Sequence, residues 1–204
     1  MAKEAKLLID WPEHTYVAGL DEVGRGCGAG PVVTAAVILP KGFSSPLIRD
    51  SKKLTEKQRN EAYKLITDNA LSISCNAGSA NEIDEIGINK TTFKTMRKCI
   101  DELTIKPDFL LIDGTVWESY NGLHGEISHS LVTKGDDTYT CIAAAAIVAK
   151  VRRDEYMVKL HDLHPEYNWS SNKGYLTVDH ITALKTNGSN RYHRKTFISK
   201  FVTD

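Results

Sequence analysis

Runs of apolar residues along the chain predict four β-strands. Residues 16–20 form a short apolar run, and residues 31–39 are β-branched and nearly all apolar, which is typical of a buried strand. Residues 71–77 alternate between apolar and polar side chains, and the apolar run that ends at residue 113 predicts a further buried strand. The first two strands are joined by a glycine-rich segment, so they are expected to pair as neighbours.

Helical periodicity and capping signals predict four helices between and after these strands. Thr55 with Gln58 forms a capping box that opens a helix ending near residue 69. The other predicted helices are the segment that contains Phe93, Met96, Ile100 and Leu103, the segment 140–160, and the segment 177–186 with Gly188 as its C-cap. A hairpin combined with strand–helix–strand crossovers predicts an α/β fold, with a mixed sheet flanked by helices.

Length and composition fit one folded domain. The 204 residues are 41% hydrophobic and 25% charged, which excludes disordered and collagen-like chains. No apolar run approaches the roughly 20 residues that a membrane helix needs, and the N-terminus lacks the apolar segment of a signal peptide. The four cysteines are widely spaced, which favours a reducing compartment over a zinc site or a disulfide framework. A cytoplasmic enzyme or binding domain is therefore expected.

Charge is balanced overall but unevenly distributed. The whole chain has 26 basic and 26 acidic residues, whereas the part from Lys150 onward has ten Lys or Arg and six Asp or Glu. The C-terminal part also contains Arg191, Tyr192, His193, Arg194 and Lys195 in succession. This distribution fits either a surface that contacts phosphates or an ordinary solvated face, and charge alone favours the solvated face.

Carboxylates occur at places where a sheet could gather them. Asp21 and Glu22 follow the first strand, Asp113 ends an apolar strand, and Asp136 and Asp137 precede the long helix. Clustered carboxylates need compensation, and Mg²⁺ or Mn²⁺ prefers such oxygen ligands. A cage that holds two of these ions is suited to phosphodiester hydrolysis. Each acid taken alone is more often a turn residue or a helix cap, so this hypothesis depends on their convergence.

The glycine-rich segment 24–30 favours a ligand-binding loop. It lacks the Gly-Lys-Ser/Thr ending of a nucleotide-binding P-loop, and a strand rather than a helix follows it, unlike a dinucleotide-binding loop. Alternating glycines let a backbone approach a ligand closely, and Arg25 adds a cation that could contact phosphate. The simpler alternative is a flexible hairpin loop.

Six short motifs follow one another along the chain. They are residues 21–26 with 29–33 (DEVGRG and AGPVV), 50–55 (DSKKLT), 82–89 (EIDEIGIN), 111–114 (LIDG), 134–136 with 142–154 (KGD and IAAAAIVAKVRRD), and 173–180 with 193–197 (KGYLTVDH and HRKTF). In this order they give the chain a clear resemblance to type 2 ribonuclease H, the bacterial ribonuclease HII family, which extends over residues 16–197. A lone Gly-Arg-Gly would be weak, but six ordered motifs are specific.

The resemblance implies a ribonuclease H-like fold with a five-stranded mixed sheet and a helical C-terminal part from about residue 155, all in one domain 1–204. It also implies an endonuclease that cleaves RNA in RNA–DNA hybrids and cuts on the 5′ side of a ribonucleotide embedded in duplex DNA, leaving a 3′-hydroxyl and a 5′-phosphate. The implied residues are the metal ligands Asp21, Glu22, Asp113 and Asp136 for two Mg²⁺ or Mn²⁺ ions, the ribose-reading segment Gly24, Arg25 and Gly26, the sugar-stacking Tyr175, and the phosphate contacts Lys52, Lys173 and Arg194.

The chain departs from the family pattern at four places. Ala146 stands where the family usually has serine, Cys27-Gly28 replaces a Pro-Leu type pair, Asp137 adds a carboxylate beside the expected metal ligand Asp136, and Ser189-Asn190 lacks the proline common before the His-Arg pair. None of these departures removes an acid. Two alternatives stay open: a non-catalytic hybrid-binding module, and another nuclease on the same fold such as a junction resolvase. No sliding-clamp motif is evident near the C-terminus, and a monomer is expected.

Overall fold

The computed structural model describes residues 8–11 and 13–202, and its centre is a five-stranded mixed sheet. The strands of this sheet, in chain order, are β1 (Val17–Val23), β2 (Val32–Ile38), β3 (Ser72–Gly78), β4 (Phe109–Asp113) and β7 (His129–Val132). Their spatial order is β3-β2-β1-β4-β7. β1 is antiparallel to β2 and parallel to β4, β2 is antiparallel to β3, and β4 is parallel to β7. The predicted mixed five-stranded sheet is confirmed.

Helices cover both faces of the sheet. The helices are α1 (Glu56–Asn69), α2 (Ala80–Ile86), α3 (Ile88–Asp101), α4 (Thr140–Leu163), α5 (Trp169–Asn172), α6 (Val178–Asn187) and α7 (Lys195–Ile198). One hydrophobic core lies between the sheet and helices α1 and α4, and a second lies between the sheet and α3. None of these helices, within the described part of the chain, is both long enough and apolar enough to span a membrane.

Helix α4 packs unusually close to strand β1. A Cβ added at Gly19 would collide with the backbone of Cys141 and come within 2.5 Å of the Ile142 nitrogen. On the helix side, the run from Ala143 to Ala146 is buried and adds little bulk. Because neither surface carries a large side chain at this contact, the helix and the strand approach each other directly.

The structure extends or adds elements where the apolar pattern is weak. β1 continues through Val23, so Asp21 and Glu22 lie within the strand, paired with β2, and not beyond its end. Strand β7 was not predicted, because its four residues are half-exposed and lie at the edge of the sheet. A small hairpin of β5 (Asn121–Gly122) and β6 (Gly125–Glu126) was also missed. The predicted start of a helical C-terminal part near residue 155 falls inside α4, which continues unbroken to Leu163.

The C-terminal helices close around a cluster of buried aromatic and imidazole rings. Trp169 is fully buried and stacks on Tyr167 with ring centroids 4.9 Å apart. Trp169 Nε1 donates to His180 Nε2 over 3.1 Å, and His180 Nε2 lies 3.2 Å from His193 Nε2. His180 Nδ1 lies 2.9 Å from the carbonyl oxygen of Tyr175, an acceptor, so Nδ1 carries the proton of His180.

The contacts of His180 are those of a neutral imidazole. Because His180 Nε2 is unprotonated, it can accept from His193 Nε2, while His193 Nδ1 lies 3.1 Å from both the backbone nitrogen and the side-chain Oδ1 of Asn190. Burial, reinforced by the neighbouring His180, lowers the pKa of His193 to about 4. Protonation of either ring would place a charge inside the cluster and remove an acceptor.

This histidine pair predicts a loss of stability in mild acid. The pKa of His193 is about 4 in the folded protein against 6.5 normally. The neutral His193 therefore makes its full contribution to the free energy of unfolding above pH 6.5. This contribution is lost as the pH falls towards 4, because the unfolded chain binds the proton more readily than the folded protein does. The loss should be on the order of 3 kcal/mol at about 1.4 kcal/mol per pKa unit. Thermal unfolding of wild type and His193→Gln between pH 7.5 and 4.5 measures it.

The wild-type Tm should fall more steeply with acid than the Tm of His193→Gln. His129→Gln, which changes a half-exposed imidazole on the edge strand β7, serves as the matched control and should follow the wild-type slope. Parallel slopes for wild type and His193→Gln would contradict a buried neutral pair.

Candidate active site

The parallel pairing of β1 with β4 places two carboxylates side by side. Leu20 is opposite Ile112, so the next residues of the two strands, Asp21 and Asp113, lie at the same level of the sheet. Side chains alternate between the faces of a strand, so these aspartates share a face with Gly19, which contacts α4. Asp21 is 6% exposed. The sheet therefore presents both carboxylates beneath the start of α4.

The turn that precedes α4 brings a third carboxylate to the same place. Residues Gly135–Asp137 form a single 3₁₀ turn, entered through Lys134 in the left-handed conformation at φ 57°. The backbone N–H of Gly135 donates to Asp113 Oδ1 over 2.7 Å, which ties the turn to the end of β4. Asp136 is buried within this turn at 8% exposure. A Cβ at Gly135 would collide with the end of the Ile142 side chain, so a larger residue would require that side chain to move.

Glu22 points to the opposite face of β1, towards α3. Its Oε1 lies 3.5 Å from Arg25 Nε, and Arg25 Nη2 donates to Asn89 Oδ1 over 2.5 Å. These residues line a groove of about 270 Å³ that also reaches Asp113 and the loop after β4. Glu22 thus stands between the three aspartates and an open groove.

The four carboxyl groups act on one another electrostatically. Burial, followed by the charges of Glu22 and Asp113, raises the pKa of Asp21 well above its ordinary value. Burial also raises the pKa of Glu22 to about 7, with Arg25 opposing the shift and Asp113 adding to it. The pKa of Asp136 is raised by burial and by the charges of Asp50 and Asp113. Such mutual repulsion is what a bound cation relieves.

Lys52 is a cation that lies beside the aspartates of this acidic group. Its Nζ lies 4.0 Å from Asp136 Oδ2, and the side chain is largely exposed. Although partial burial opposes the shift, the charges of Asp136 and Asp50 raise the pKa of Lys52. An exposed ammonium beside buried carboxylates is well placed to contact a phosphate that approaches them.

Asp137 forms an ion pair with Lys53. The Lys53 ammonium lies 2.5 Å from Asp137 Oδ1 and 3.5 Å from Asp50 Oδ2. The backbone of Lys52 donates to Asp50 Oδ1 over 2.9 Å. The extra carboxylate at Asp137 therefore joins the turn before α4 to the turn that carries Lys52, and it lies outside the group formed by Asp21, Glu22, Asp113 and Asp136.

The donor set fits a hard divalent cation. All four groups are carboxylates, and neither cysteine nor histidine contributes to them, which favours Mg²⁺ or Mn²⁺ over Zn²⁺. Within residues 8–11 and 13–202, no three His, Cys, Asp or Glu side chains already converge with the geometry of a metal site. The acids are thus coupled through their charges and held on one sheet edge, without being arranged as a finished cage.

The glycine loop, residues 24–30, lies next to the acidic group. Different constraints explain why glycine occurs at positions 24 and 26. Gly24 has φ 95°, and a Cβ there would collide with the guanidinium of Arg153, so it is required by the fold. Gly26 is exposed, its φ lies outside the left-handed range, and an added Cβ would meet nothing within 4 Å. The protein interior therefore gives no reason for glycine at position 26, whereas close approach by a ligand would.

Tyr175 lies beside the glycine loop with its ring half-exposed. Burial and then the Cys27 thiol raise the pKa of its phenol, and Arg153 and Lys52 are close enough to lower it. The ring thus lies beside Cys27 of the glycine loop and within range of the charges of Arg153 and Lys52. Its contact with a sugar stays a prediction.

Two of the predicted phosphate contacts are placed differently. Arg194 is fully buried, and it donates from Nε to the Gly30 carbonyl at 3.0 Å and from Nη1 to the Arg25 carbonyl at 2.8 Å. The prediction of a surface phosphate contact at Arg194 is therefore wrong, and the side chain supports the glycine loop from within. The Lys173 ammonium donates to the Ser170 carbonyl in its own loop, so its phosphate contact stays a prediction.

The contacts of Asp50, Arg153 and Asn89 in the site are evident only from the structure. Asp50 and Arg153 lie in segments that resemble the family, but a sequence shows neither burial nor the carbonyl groups that surround a guanidinium. Asn89 contacts Arg25 across 64 positions of the chain, a pairing without local sequence signal.

Comparison with known proteins agrees with this arrangement. A sequence model described as Ribonuclease HII matches residues 18–200. The chain belongs to the ribonuclease HII family. It is therefore a ribonuclease H, an endoribonuclease of a family that depends on divalent metal and acts on RNA–DNA substrates. Family membership favours an enzyme over a non-catalytic binding module.

Relatives match over nearly the whole chain. Ribonuclease HII of Bacteroides thetaiotaomicron is 48% identical over 180 residues, which are 88% of this chain and 88% of that protein. Ribonuclease HII of Salinibacter ruber is 44% identical over 97% of both chains. Among solved structures, ribonuclease H2 from Pyrococcus horikoshii is 26% identical with a TM-score of 0.76, covering 91% of this chain and 96% of that one. The predicted ribonuclease H-like fold is confirmed.

Relief of carboxylate repulsion predicts that Asp21→Asn stabilises the protein when divalent cations are chelated. Asparagine keeps an oxygen that can accept the Glu22 N–H, as Asp21 Oδ1 does over 2.6 Å, but it removes a buried charge. At pH 8 with chelator, Tm should rise by several degrees, corresponding to about 1 kcal/mol or more. Added Mg²⁺ should raise the wild-type Tm and have much less effect on Asp21→Asn.

Asp68→Asn provides the matched control, because Asp68 is an exposed residue of α1 that pairs with Lys64. It should leave both Tm and the response to Mg²⁺ unchanged. A lower Tm for Asp21→Asn than for wild type in chelator would show that Asp21 is not under repulsion.

Proposed function

We propose that this enzyme cuts on the 5′ side of a ribonucleotide at an RNA–DNA junction, by activation of water with two metal ions. The proposal rests on one observation: a surface of carboxylates lies next to a second surface formed by the glycine loop and Tyr175. Asp21, Asp113 and Asp136 lie together on one edge of the sheet, and the glycine loop and Tyr175 lie next to them. The first surface supplies hydrolysis, and the second supplies recognition of a sugar.

Asp21, Glu22, Asp113 and Asp136 would hold the two Mg²⁺ or Mn²⁺ ions. Bound there, the ions supply an activated water and stabilise the leaving oxygen of an in-line displacement, which gives a 3′-hydroxyl and a 5′-phosphate. Asp21 is central in this assignment, because its pKa responds to all three of the other carboxylates. Binding displaces protons from these acids, so metal affinity should fall in acid.

The other residues of the site orient the nucleic acid. Lys52 projects from its turn beside Asp136 and would contact the phosphate backbone next to the scissile bond. No serine, cysteine or histidine lies in the acidic group, which supports water as the nucleophile over a covalent intermediate.

Recognition of ribose would come from the glycine loop and the tyrosine. The backbone of Gly24, Arg25 and Gly26 would bind the 2′-hydroxyl, the group that distinguishes RNA from DNA. Gly26 is exposed and has free space around its Cα, so a sugar edge can reach its backbone. Tyr175 would stack on the following sugar and favour deoxyribose there, which would set the cut at a junction.

The adjacent pair Asp136 and Asp137 gives a direct test of the metal assignment. Asp136→Asn should lower kcat by about 10²-fold or more, because it removes a buried member of the acidic group. Asp137→Asn should keep activity within a few-fold, because Asp137 pairs with Lys53 outside that group. The assay measures cleavage in Mg²⁺ and in Mn²⁺ of a duplex with one ribonucleotide in a DNA strand.

An all-RNA/DNA hybrid and an all-DNA duplex complete the assay. Cleavage 5′ to the single ribonucleotide supports junction recognition, whereas cleavage of the hybrid alone would retain the nuclease and exclude the assigned role of Tyr175 and the glycine loop. Equal losses in Asp136→Asn and Asp137→Asn would contradict the metal assignment.

Position 26 tests the ribose-reading loop without disturbing the fold. Gly26→Ala should leave Tm unchanged, since the new methyl meets no protein atom within 4 Å. It should raise KM for the single-ribonucleotide duplex by about tenfold, because the methyl occupies the space of the approaching sugar. Gly24→Ala is the contrasting variant and should lower Tm. An unchanged KM in Gly26→Ala would place the sugar elsewhere.

A further inference from the structure

Two buried arginines hold the glycine loop from inside the protein. Arg153, in the second half of α4, and Arg194, just before α7, are each fully buried. Arg153 donates from Nε to the Pro31 carbonyl at 2.9 Å and from Nη2 to the Ala29 carbonyl at 3.1 Å. Arg194 holds the carbonyls of Gly30 and Arg25. Three carbonyl groups of the glycine loop, and that of Pro31 directly after it, are thus bonded to two guanidinium groups.

Arg153 also bonds to the segment that carries Tyr175. Its Nη1 donates to the Lys173 carbonyl over 2.8 Å, so a single planar guanidinium joins the glycine loop to residues 173–175. The backbone strengthens this link, because Gly28 and Ala29 both donate to the Gly174 carbonyl, at 2.9 and 3.2 Å. The loop that would bind the 2′-hydroxyl and the ring that would stack on the next sugar are therefore fixed to each other.

The C-terminal segment holds the other side of the loop. Gly30 donates to the Tyr192 carbonyl at 2.8 Å, and Arg194 N donates to the Gly28 carbonyl at 2.9 Å. The glycine loop is therefore enclosed between residues 173–175 and residues 192–194, two segments far from it in sequence.

Stability alone does not explain these arginines. A guanidinium buried among neutral carbonyls loses its hydration and has no carboxylate partner to compensate, and apolar replacements of buried charges are often no less stable. Asp154, the acid that follows Arg153, pairs with Lys150 at 2.8 Å and with Arg59 at 3.7 Å. Arg194 Nη2 has no hydrogen-bond partner among the described atoms, and burial lowers the pKa of Arg194 to about 10.

We infer that Arg153 and Arg194 are positioning residues that determine selectivity for the RNA–DNA junction, by fixing the distance between the glycine loop and Tyr175. The inference rests on the proposed function. Neither side chain is exposed, so neither touches the nucleic acid. Selectivity for a ribose followed by a deoxyribose requires two recognition elements at a fixed separation, and Arg153 is the side chain bonded to both segments.

The test compares Arg153→Lys with a control on the adjacent residue. Lysine keeps the charge but cannot bond three carbonyls in one plane. Arg152→Lys is the matched control, because Arg152 is exposed and contacts only Glu155 among the described residues. The readout is the ratio of kcat/KM for the single-ribonucleotide duplex to kcat/KM for the all-RNA/DNA hybrid, together with Tm and cleavage position.

Arg153→Lys should lower this ratio by about tenfold or more, through a higher KM for the junction substrate, while kcat on the hybrid changes less than about threefold. Arg152→Lys should match wild type. An unchanged ratio in a folded Arg153→Lys enzyme, or equal losses on both substrates, would overturn the inference. Wild type that shows no junction preference would instead contradict the proposed function, so the two failures are distinguishable.

Arg194→Lys keeps the test decisive if Arg153→Lys does not fold. Arg194→Lys leaves intact the three bonds of Arg153 and the backbone pairing of Ala29 with His193. We expect a smaller fall in the same ratio, with faster hydrogen exchange at the amides of Gly28 and Gly30. The control is Arg191→Lys, which changes a nearby arginine that stacks on Tyr192. A wild-type ratio in Arg194→Lys would overturn the assignment of that residue.

Discussion

The close contact between helix α4 and strand β1 is the constraint on which the rest of the structure depends. Gly19 presents no side chain where the Cys141 backbone lies against the strand, and the alanine run continues the contact. A larger residue at position 19 would push the helix outward and carry the turn before it away from β4. Asp136 belongs to that turn, so the packing of small residues determines whether the third carboxylate reaches the other two.

Opposite charges are buried on the two sides of this contact, and each is stabilised differently. Asp21 and Asp136 repel their neighbours and are compensated only in part by Lys52, so this part of the molecule stores unfavourable energy that metal binding can release. Arg153 is satisfied by carbonyl oxygens and forms a rigid support. The fold thus combines a group of mutually repelling carboxylates with a firmly bonded glycine loop.

Sequence patterns identified the parts of this structure that are encoded locally. The Thr55 capping box, the apolar strands and the glycine after α6 all act within a few residues, and they were predicted correctly. Strand β7 escaped prediction because it is short and half-exposed. The burial of Arg194 could not be predicted either, because its acceptors are carbonyl groups more than 160 positions away. Every residue has a backbone carbonyl, so the sequence does not show which of them accept a hydrogen bond.

Helix α4 also sets the distance between chemistry and recognition. It contacts β1 at Gly19 through the backbone of Cys141, and it contacts Gly24, the first residue after β1, through the side chain of Arg153. The two contacts come in the same order along both elements, so the helix and the strand run in the same direction. Asp21 and Glu22 lie between these two contacts. A displacement of the helix would therefore move the third carboxylate and the support of the glycine loop together.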